Sequence, residues 1–164
     1  MQVLKNILVF LRQHNPEVKV LWDPILKASA GFEFHKEINR KDLIDVCIDL
    51  YLITPNFSEI KIMISEMEEE EGAEFLSNYC NVLLKGGHRP DDKAIDILFE
   101  NKERTVFEAE KIKAEKHGTG CVLSSAILTN LAKGYDLQEA CKEGKDYVTD
   151  FINSDSSLLG FHYV

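Results

Sequence analysis

The sequence predicts an α/β fold with a mostly parallel sheet flanked by helices. Three short apolar segments, at residues 18–22, 50–53 and 81–84, are separated by stretches whose apolar residues recur at helical spacing. This alternation is typical of a parallel sheet, because the chain must cross back over the sheet between parallel strands. A chain of 164 residues can bury a substantial core, so we expect a single domain over residues 1–164.

The first third of the chain predicts two helices around the first strand. Residues 2–14 have helical apolar spacing, and the sequence His14-Asn15-Pro16 ends that helix. After the first strand, residues 27–35 predict a loop. A second helix is expected over residues 40–48, with Asn39 as its N-cap.

Two further helices are expected between the second and third strands. Ser58 is the predicted N-cap of the first of them, which carries apolar residues over 60–67. The acidic run Glu68–Glu71 predicts a solvated helix end. The second helix, over residues 73–80, leads into the third strand.

The remainder of the chain predicts a hairpin followed by helices. The segments 94–99 and 104–108 flank the turn Asn101-Lys102, which indicates an antiparallel hairpin at the edge of the sheet. The sequence Asp136-Leu-Gln-Glu139 resembles a capping box and opens a last helix that ends near Ile152.

Composition excludes several classes of protein. The chain is 45% apolar and 29% charged, as ordinary globular proteins are, and no apolar run reaches the roughly 18 residues of a membrane span. The net charge of −9, with dispersed basic residues, argues against a nucleic-acid surface. The four cysteines form no C-x-x-C pair, so we expect neither a disulfide framework nor a zinc site, and a cytoplasmic location.

The stretch from His117 to Ile127, with the sequence His-Gly-Thr-Gly-Cys-Val-Leu-Ser-Ser-Ala-Ile, is the strongest candidate for chemistry. Its glycines precede a helical pattern, so backbone N–H groups gather at a helix N-terminus and form an anion site. Cys121 lies among them and can serve as base, nucleophile or anion-site member. The alternative is that Cys121 is a small buried residue at a tight turn.

A second candidate is the sequence Lys85-Gly86-Gly87-His88, directly after the third strand. Glycines let the backbone approach a ligand, and the lysine supplies a point charge suited to phosphate. The alternative is an exposed turn with a solvated lysine.

Two carboxylates are the best candidates for Mg²⁺. Asp23 and Glu59 each come shortly after the end of a predicted strand, and the carboxyl ends of parallel strands converge on one crevice. His88, His117 and His162 show no metal-ligand spacing, and we expect structural or loop roles for them.

Four of these motifs occur in an order that resembles a known family. They are Trp22-Asp-Pro-Ile25, Ile53-Thr-Pro-Asn-Phe-Ser-Glu59, Leu84-Lys-Gly-Gly-His88 and His117-Gly-Thr-Gly-Cys-Val-Leu-Ser124. The chain resembles the hydroxymethylpyrimidine/phosphomethylpyrimidine kinases of thiamine biosynthesis, within the ribokinase-like superfamily. The closing Gly160-Phe-His-Tyr-Val164 is similar to the tail of that family. The resemblance implies a ribokinase-like three-layer fold and phosphorylation of the pyrimidine alcohol and its monophosphate with ATP and Mg²⁺.

The resemblance also implies roles for individual residues at the phosphates. Gly118, Thr119 and Gly120 would form the anion hole. Cys121 would occupy the position where sugar kinases have an aspartate base. Lys85, with Gly86 and Gly87 beside it, would contact the nucleotide phosphates.

At the other end of the site, Asp23 and Glu59 would organise Mg²⁺ through water, and Ile25 would contribute to the pyrimidine pocket. Ile25 is a mild departure, since the family has valine there.

Two further departures limit the resemblance. Members of the family often have Asn-Thr where this chain has Glu115-Lys116. The N-terminal third of the family fold is also absent, so the chain corresponds to the C-terminal, nucleotide-binding part. A sheet without its first strands would expose an unpaired edge and an apolar face, so we expect a fragment or misassigned start, a homo-oligomer, or a partner that covers the edge.

Two other functions stay open. A pyridoxal kinase of the same superfamily would act on a similar heteroaromatic alcohol. A non-catalytic nucleotide-binding domain is the alternative from a different class, because most substrate-binding residues of the family lie in the absent third.

Overall fold

The structure is a computed structural model that describes residues 1–26, 38–86, 93–112 and 116–162. The predicted loop at 27–35, Gly87 and His88 lie outside the described residues. The chain divides into two compact units, Met1–Glu108 and Ala109–Val164, and each is described by itself. The expectation of a single domain therefore stays a prediction.

The first unit is built on a five-stranded sheet with helices between the strands. Its elements are α1 (Gln2–His14), β1 (Leu21–Trp22), α2 (Arg40–Cys47), β2 (Leu52–Ile53), α3 (Phe57–Met63), α4 (Glu69–Leu76), β3 (Asn81–Leu84), β4 (Lys93–Glu100) and β5 (Glu103–Glu110). The strands follow one another in chain order. β1, β2 and β3 are parallel, and β4 is antiparallel to β3, which confirms the predicted α/β fold.

The predicted hairpin is also confirmed. β4 and β5 are joined by Asn101 and Lys102 alone, and a two-residue connection requires antiparallel strands. Both turn residues have positive φ, 52° and 67°, as a type I′ turn demands. Lys93 Nζ lies 2.6 Å from Glu108 Oε2 across the hairpin.

Asn39 caps α2 as predicted, but the prediction that Ser58 caps α3 is wrong. Asn39 Oδ1 accepts the N–H of Asp42 at 3.1 Å. In α3 the N-cap is Asn56, two residues before Ser58, and Ser58 already lies inside the helix. Asn56 has the extended backbone that an N-cap needs, with φ −86° and ψ 171°.

The second helix between β2 and β3 begins earlier than expected. α4 starts at Glu69 rather than near Ala73, and Glu68 is its N-cap residue. Glu69, Glu70 and Glu71 thus occupy its first turn, where carboxylates stabilise the helix through its dipole. The acidic run therefore opens a helix.

Apolar side chains from α1 to α4 and from the strands form the core of the first unit. Its members that are at most 1% exposed are Leu8, Leu43, Val46, Cys47, Ile53, Ile60, Ile64, Ala73, Leu76, Val82, Leu84 and Ile97. Full burial of one such side chain contributes about 1.5–3 kcal/mol relative to its exposure.

The second unit is a pair of packed helices, α5 (Thr119–Ala132) and α6 (Leu137–Asn153). Asp136 caps α6 as predicted, because its Oδ1 accepts the N–H of Glu139 at 2.8 Å. The helices approach closely at Gly144, where an added Cβ would lie 2.9 Å from Ile127 Cγ1. Within the residues that the structure describes, no helix has the length and apolar character needed to cross a membrane.

Two buried helical glycines allow a matched test of this packing. We expect Gly144→Ala to lower the free energy of unfolding by about 1 kcal/mol, because the overpacking cost exceeds the gain in helix propensity. Gly72→Ala should be neutral or stabilise by about 0.5–1 kcal/mol, since its nearest contact, Ile64 Cβ at 3.4 Å, is an ordinary one. Urea denaturation measures both. A Gly144→Ala variant as stable as wild type would contradict the close helix contact.

Candidate active site

Polar side chains follow each of the three parallel strands directly. Asp23 comes after β1, Thr54 after β2 and Lys85 after β3. The carboxyl ends of parallel strands meet at one edge of the sheet, and ligands of open α/β sheets bind there. We call the group formed by Asp23, Thr54, Glu59 and Lys85 the strand-end cluster.

An ion pair joins the outer members of this cluster. Lys85 Nζ donates to Asp23 Oδ1 at 2.6 Å, and Thr54 Oγ1 donates to the same oxygen at 3.2 Å. The side chains of Lys85 and Asp23 are only 13% and 12% exposed, and Thr54 is fully buried. Charges so far from water need a partner, because an unpaired buried charge is strongly destabilising. The strand ends therefore hold the Lys85 ammonium and the Asp23 carboxylate in contact with each other.

Glu59 is held beside this pair by the capping box of α3. Its Oε2 accepts the N–H of Asn56 at 2.7 Å, while Asn56 Oδ1 accepts the N–H of Glu59 at 2.9 Å. Burial raises the pKa of Glu59 above its ordinary value, and the negative charge of Asp23 adds to this effect. The N–H groups of Asn56 and Leu26 and the charge of Lys85 act in the opposite direction. Asp23, Glu59 and Lys85 are therefore electrostatically coupled, as their predicted convergence requires.

The donor set fits a hydrated divalent cation better than a cation enclosed by protein. Among the described residues, no group of three or more His, Cys, Asp or Glu side chains is arranged to hold a metal. Mg²⁺ is usually bound by one or two carboxylates and keeps several waters, with phosphate oxygens completing its shell. Asp23 and Glu59 supply that number of carboxylates.

Gly86 has a structural role that its sequence motif does not indicate. Its N–H donates to Asp96 Oδ1 at 2.9 Å, and Asp96 is buried on β4. An added Cβ on Gly86 would collide with the backbone carbonyl of Ile95. The predicted contact of Gly86 with a nucleotide stays a prediction, and so does that of Gly87, which is not described.

Ile25 lies close to the strand-end cluster in sequence and is half exposed. Its N–H donates to the carbonyl of Asp23 at 3.0 Å, so the backbone turns directly after the carboxylate. The predicted role of Ile25 in a pyrimidine pocket stays a prediction.

In the second unit, the turn before α5 has the geometry of an anion site. Gly118 is the N-cap residue with φ 79°, a left-handed conformation that favours glycine. The N–H of Val122 is the first to bond back, to the carbonyl of Gly118 at 2.9 Å. The N–H groups of Thr119, Gly120 and Cys121 precede it and lack an intrahelical acceptor. Such groups, with the positive end of the helix dipole, favour a bound anion.

Cys121 lies in this first turn as an exposed free thiol. The alternative that Cys121 is a small buried residue at a tight turn is therefore wrong. Its predicted part in the chemistry stays a prediction, as does the anion hole formed by Gly118, Thr119 and Gly120.

The structure adds Thr54 and Asn56 to the residues that the sequence nominated. Thr54 follows β2 just as Asp23 follows β1, so its position after an apolar strand was an available signal. Asn56 stands three residues before Glu59, which is the spacing of a capping box. His162 packs on Phe151 at 4.9 Å between ring centroids and hydrogen bonds Tyr147, in agreement with a structural histidine.

Residues 2–163 match the family model described as phosphomethylpyrimidine kinase. The chain belongs to the phosphomethylpyrimidine kinase family. The resemblance drawn from four sequence motifs is thereby confirmed.

Named members of this family are clearly related to the chain. The hydroxymethylpyrimidine/phosphomethylpyrimidine kinase of Aquifex aeolicus is 36% identical over 150 residues, which cover 85% of this chain and 58% of that protein. A bifunctional thiamine biosynthesis protein of Methanocaldococcus jannaschii is 35% identical over 148 residues, covering 89% of this chain and 33% of that protein. The chain thus spans about half of the first relative and a third of the second.

Solved structures of the same fold confirm the ribokinase-like architecture. A pyridoxal kinase from Staphylococcus aureus, in complex with AMP-PCP and pyridoxal, has a TM-score of 0.78 at 19% identity, over 93% of this chain and 58% of that one. A Bacillus subtilis pyridoxal kinase in an ADP complex has a TM-score of 0.75 at 23% identity, over 92% and 59% of the two chains. At these identities the likeness establishes the fold alone.

The raised pKa of Glu59 leads to a test of how this family member holds its carboxylate. Because the pKa of Glu59 is raised in the folded protein, its protonated form stabilises the fold at a pH below the ordinary glutamate pKa of 4.5. That contribution is lost as pH rises through the folded-state pKa. Glu59→Gln should therefore be at least as stable as wild type at pH 7, with a smaller dependence of stability on pH. Glu59→Ala should be about 1 kcal/mol less stable, because it loses the capping box.

Urea denaturation between pH 4 and pH 7, about the usual range of carboxylate titration, measures both variants. Glu17→Gln, at an exposed position of the same unit, is the control for loss of one acidic group. A Glu59→Gln variant that is less stable than wild type at pH 7 would contradict the inferred cost of burying this charge.

Proposed function

We propose that this chain takes part in ATP-dependent phosphorylation of hydroxymethylpyrimidine and its monophosphate in thiamine biosynthesis. The observation that carries the proposal is the buried Lys85–Asp23 pair with Glu59 at the carboxyl edge of three parallel strands. The names of the relatives supply the substrate class. ATP as donor is supported by the AMP-PCP and ADP complexes of kinases with the same fold.

The proposed reaction is in-line transfer of the γ-phosphoryl group to a primary alcohol. The alcohol oxygen forms a bond to phosphorus as the bond to ADP breaks. The alcohol proton passes to a base, for which we propose the thiolate form of Cys121, which becomes the thiol. The N–H groups of Gly118, Thr119 and Gly120 would stabilise charge on the transferred group, since such transfers depend on fixed dipoles and positioning. Mg²⁺, when bound, would neutralise phosphate charge.

Lys85 can serve the phosphates without leaving Asp23. An ammonium group has three N–H donors, and the contact with Asp23 uses one of them. The pair with Asp23 fixes the direction of the lysine side chain, so less freedom is lost when a phosphate binds. In this proposal Asp23 both orients Lys85 and contributes to the cation site.

Two alternatives remain, each with an observation in its favour. Pyridoxal kinase activity is favoured by the two solved structures described above, which are pyridoxal kinases of the same fold. A non-catalytic nucleotide-binding role is favoured by the length of the match, because this chain corresponds to only 58% of the Aquifex kinase. We also propose a cytoplasmic location, which four free cysteines support.

Calorimetry with Mg·ATP and a coupled assay of ADP release, with hydroxymethylpyrimidine or pyridoxal as acceptor, test these functions. We expect Lys85→Met to weaken nucleotide binding about tenfold or more, since it removes a charge-assisted hydrogen bond to phosphate, and the double variant Lys85→Met/Asp23→Asn, which leaves no unpaired buried charge, to bind as weakly. Cys121→Ala should retain nucleotide affinity and lose about 100-fold or more in turnover, as expected for loss of a general base.

The control is Lys142→Met, which makes the same change at an exposed position of α6. Binding without turnover on either acceptor would favour the non-catalytic alternative, and turnover on pyridoxal alone would favour the pyridoxal kinase. Full turnover in Cys121→Ala would exclude the proposed base.

We propose further that a second copy or another polypeptide covers the side of the first unit formed by α1 and β1. Val3, Ile7 and Phe10, spaced as one stripe of α1, are 73%, 50% and 57% exposed. β1 is an edge strand, and its bonds to β2 use the carbonyls of Val20 and Trp22. That register turns the N–H and carbonyl of Leu21 away from β2, to the outer edge of the sheet that the described residues form, where a further strand can pair.

Sedimentation measurements test this covering. If a second copy covers the stripe, wild type should sediment as a dimer and Phe10→Glu as a monomer, because a buried carboxylate would oppose association. Gln2→Glu, at an exposed position on another side of α1, is the control and should leave the dimer intact. A wild-type protein that stays monomeric and as soluble as Phe10→Glu would contradict a covered face.

A further inference from the structure

The segment after α6 folds back onto the residues that lead into the Gly118 turn. We call this segment, Ser154–His162, the C-terminal strap. Lys116 Nζ donates to the backbone carbonyls of three strap residues, Asp155, Ser157 and Leu159, the last at 2.9 Å. An ammonium group has three N–H donors, so backbone oxygens of the strap satisfy all of them.

A second bond ties the strap even closer to the turn. The N–H of His117 donates to the carbonyl of Leu158 at 3.0 Å. Lys116 and His117 are the two residues before Gly118, whose left-handed backbone aims the first turn of α5. The strap therefore holds the approach to the anion site through four hydrogen bonds from two consecutive residues.

The strap itself has a defined conformation on α6. At Gly160 an added Cβ would lie 2.6 Å from ring atoms of Phe151 and 2.7 Å from its carbonyl oxygen, so only glycine fits. The N–H of Phe161 donates to Ser154 Oγ at 2.8 Å. These contacts fix both ends of the strap, so the carbonyls that receive Lys116 are held in place.

Electrostatics explain why a cation is suited to this position. Every backbone carbonyl oxygen carries partial negative charge and accepts hydrogen bonds, and the strap directs three of them at the Lys116 ammonium group. Only a lysine can offer three N–H donors from one atom, whereas a threonine at the same place would offer a single hydroxyl. Lys116 thus holds three carbonyl groups of the strap around its ammonium group.

We propose that Lys116 is a positioning residue for the anion site at Gly118, Thr119 and Gly120. It acts by clamping the strap to the residues before Gly118 and does not touch the nucleotide. This inference rests on the proposed function, since it concerns the same phosphate site.

Two variants that break the clamp from opposite sides test the proposal. Lys116→Met removes the donors, and Gly160→Ala displaces the strap while Lys116 is retained. We expect each to weaken Mg·ATP binding about tenfold, because the N–H groups of the anion site lose their fixed orientation. The double variant should bind Mg·ATP no more weakly than the weaker-binding single variant, because both changes break the same clamp. Hydrogen exchange without nucleotide should speed up in both at His117, whose N–H bonds to the strap, and at Val122, whose N–H bonds to the carbonyl of Gly118. Lys142→Met is the matched control, and helical circular dichroism checks that α5 and α6 remain folded.

The outcomes separate this inference from the proposed function. Unchanged nucleotide affinity, or unchanged exchange at His117 and Val122, in Lys116→Met would overturn it. Additive losses in the double variant would also overturn it, because they would mean that Lys116 acts independently of the strap. If Lys116→Arg restores affinity without restoring exchange protection, the charge acts directly and positioning is wrong. If wild type binds no Mg·ATP the proposed function fails, while the exchange measurement still decides whether Lys116 holds the turn.

Discussion

The ion pair between Lys85 and Asp23 is the interaction on which the strand-end cluster depends. It joins the ends of β3 and β1 across β2, with Thr54 donating to the shared carboxylate oxygen from the strand between them. Both charged groups are mostly withdrawn from water, so neither can lose its partner without a cost of about 3–5 kcal/mol. The pair therefore requires that all three strands end at the same level, which is the geometry a ligand at this edge meets.

Glu59 makes the cluster electrostatically unbalanced. With Glu59 ionised, the cluster contains two carboxylates and one ammonium, and burial already opposes that ionisation. The capping box keeps the carboxylate in place regardless, because its oxygen is tied to the N–H of Asn56. A divalent cation would relieve the excess negative charge, and a protein that holds carboxylates ready in this way lowers the reorganisation needed when the cation arrives with its phosphates.

Residues whose positions follow from a general rule of parallel sheets could be predicted from the sequence. Asp23, Glu59 and Lys85 converge because strand ends of a parallel sheet converge, and apolar strands are visible in sequence. A residue's role could not be predicted where it depends on a residue distant in the chain or on backbone atoms. Only glycine fits at position 86, beside the carbonyl of Ile95, and its N–H donates to Asp96. Both partners are on β4, whose pairing with β3 no local pattern indicates. Ser58 and Asn56 are both residue types that cap helices well, and only the backbone shows which of them precedes the helix.

The clamp at Lys116 belongs to the same class of feature, since its acceptors are carbonyls that every residue carries. It also bears on how an acidic chain can hold a polyphosphate. The net charge of −9 disfavours anions at long range, but salt screens that field over about a Debye length. The N–H groups at the start of α5 act within hydrogen-bond distance, and their strength depends on orientation. A rigid backbone around Gly118 therefore matters more to the proposed anion site than the negative net charge of the chain. The hydrogen bonds of Lys116 to the strap supply that rigidity.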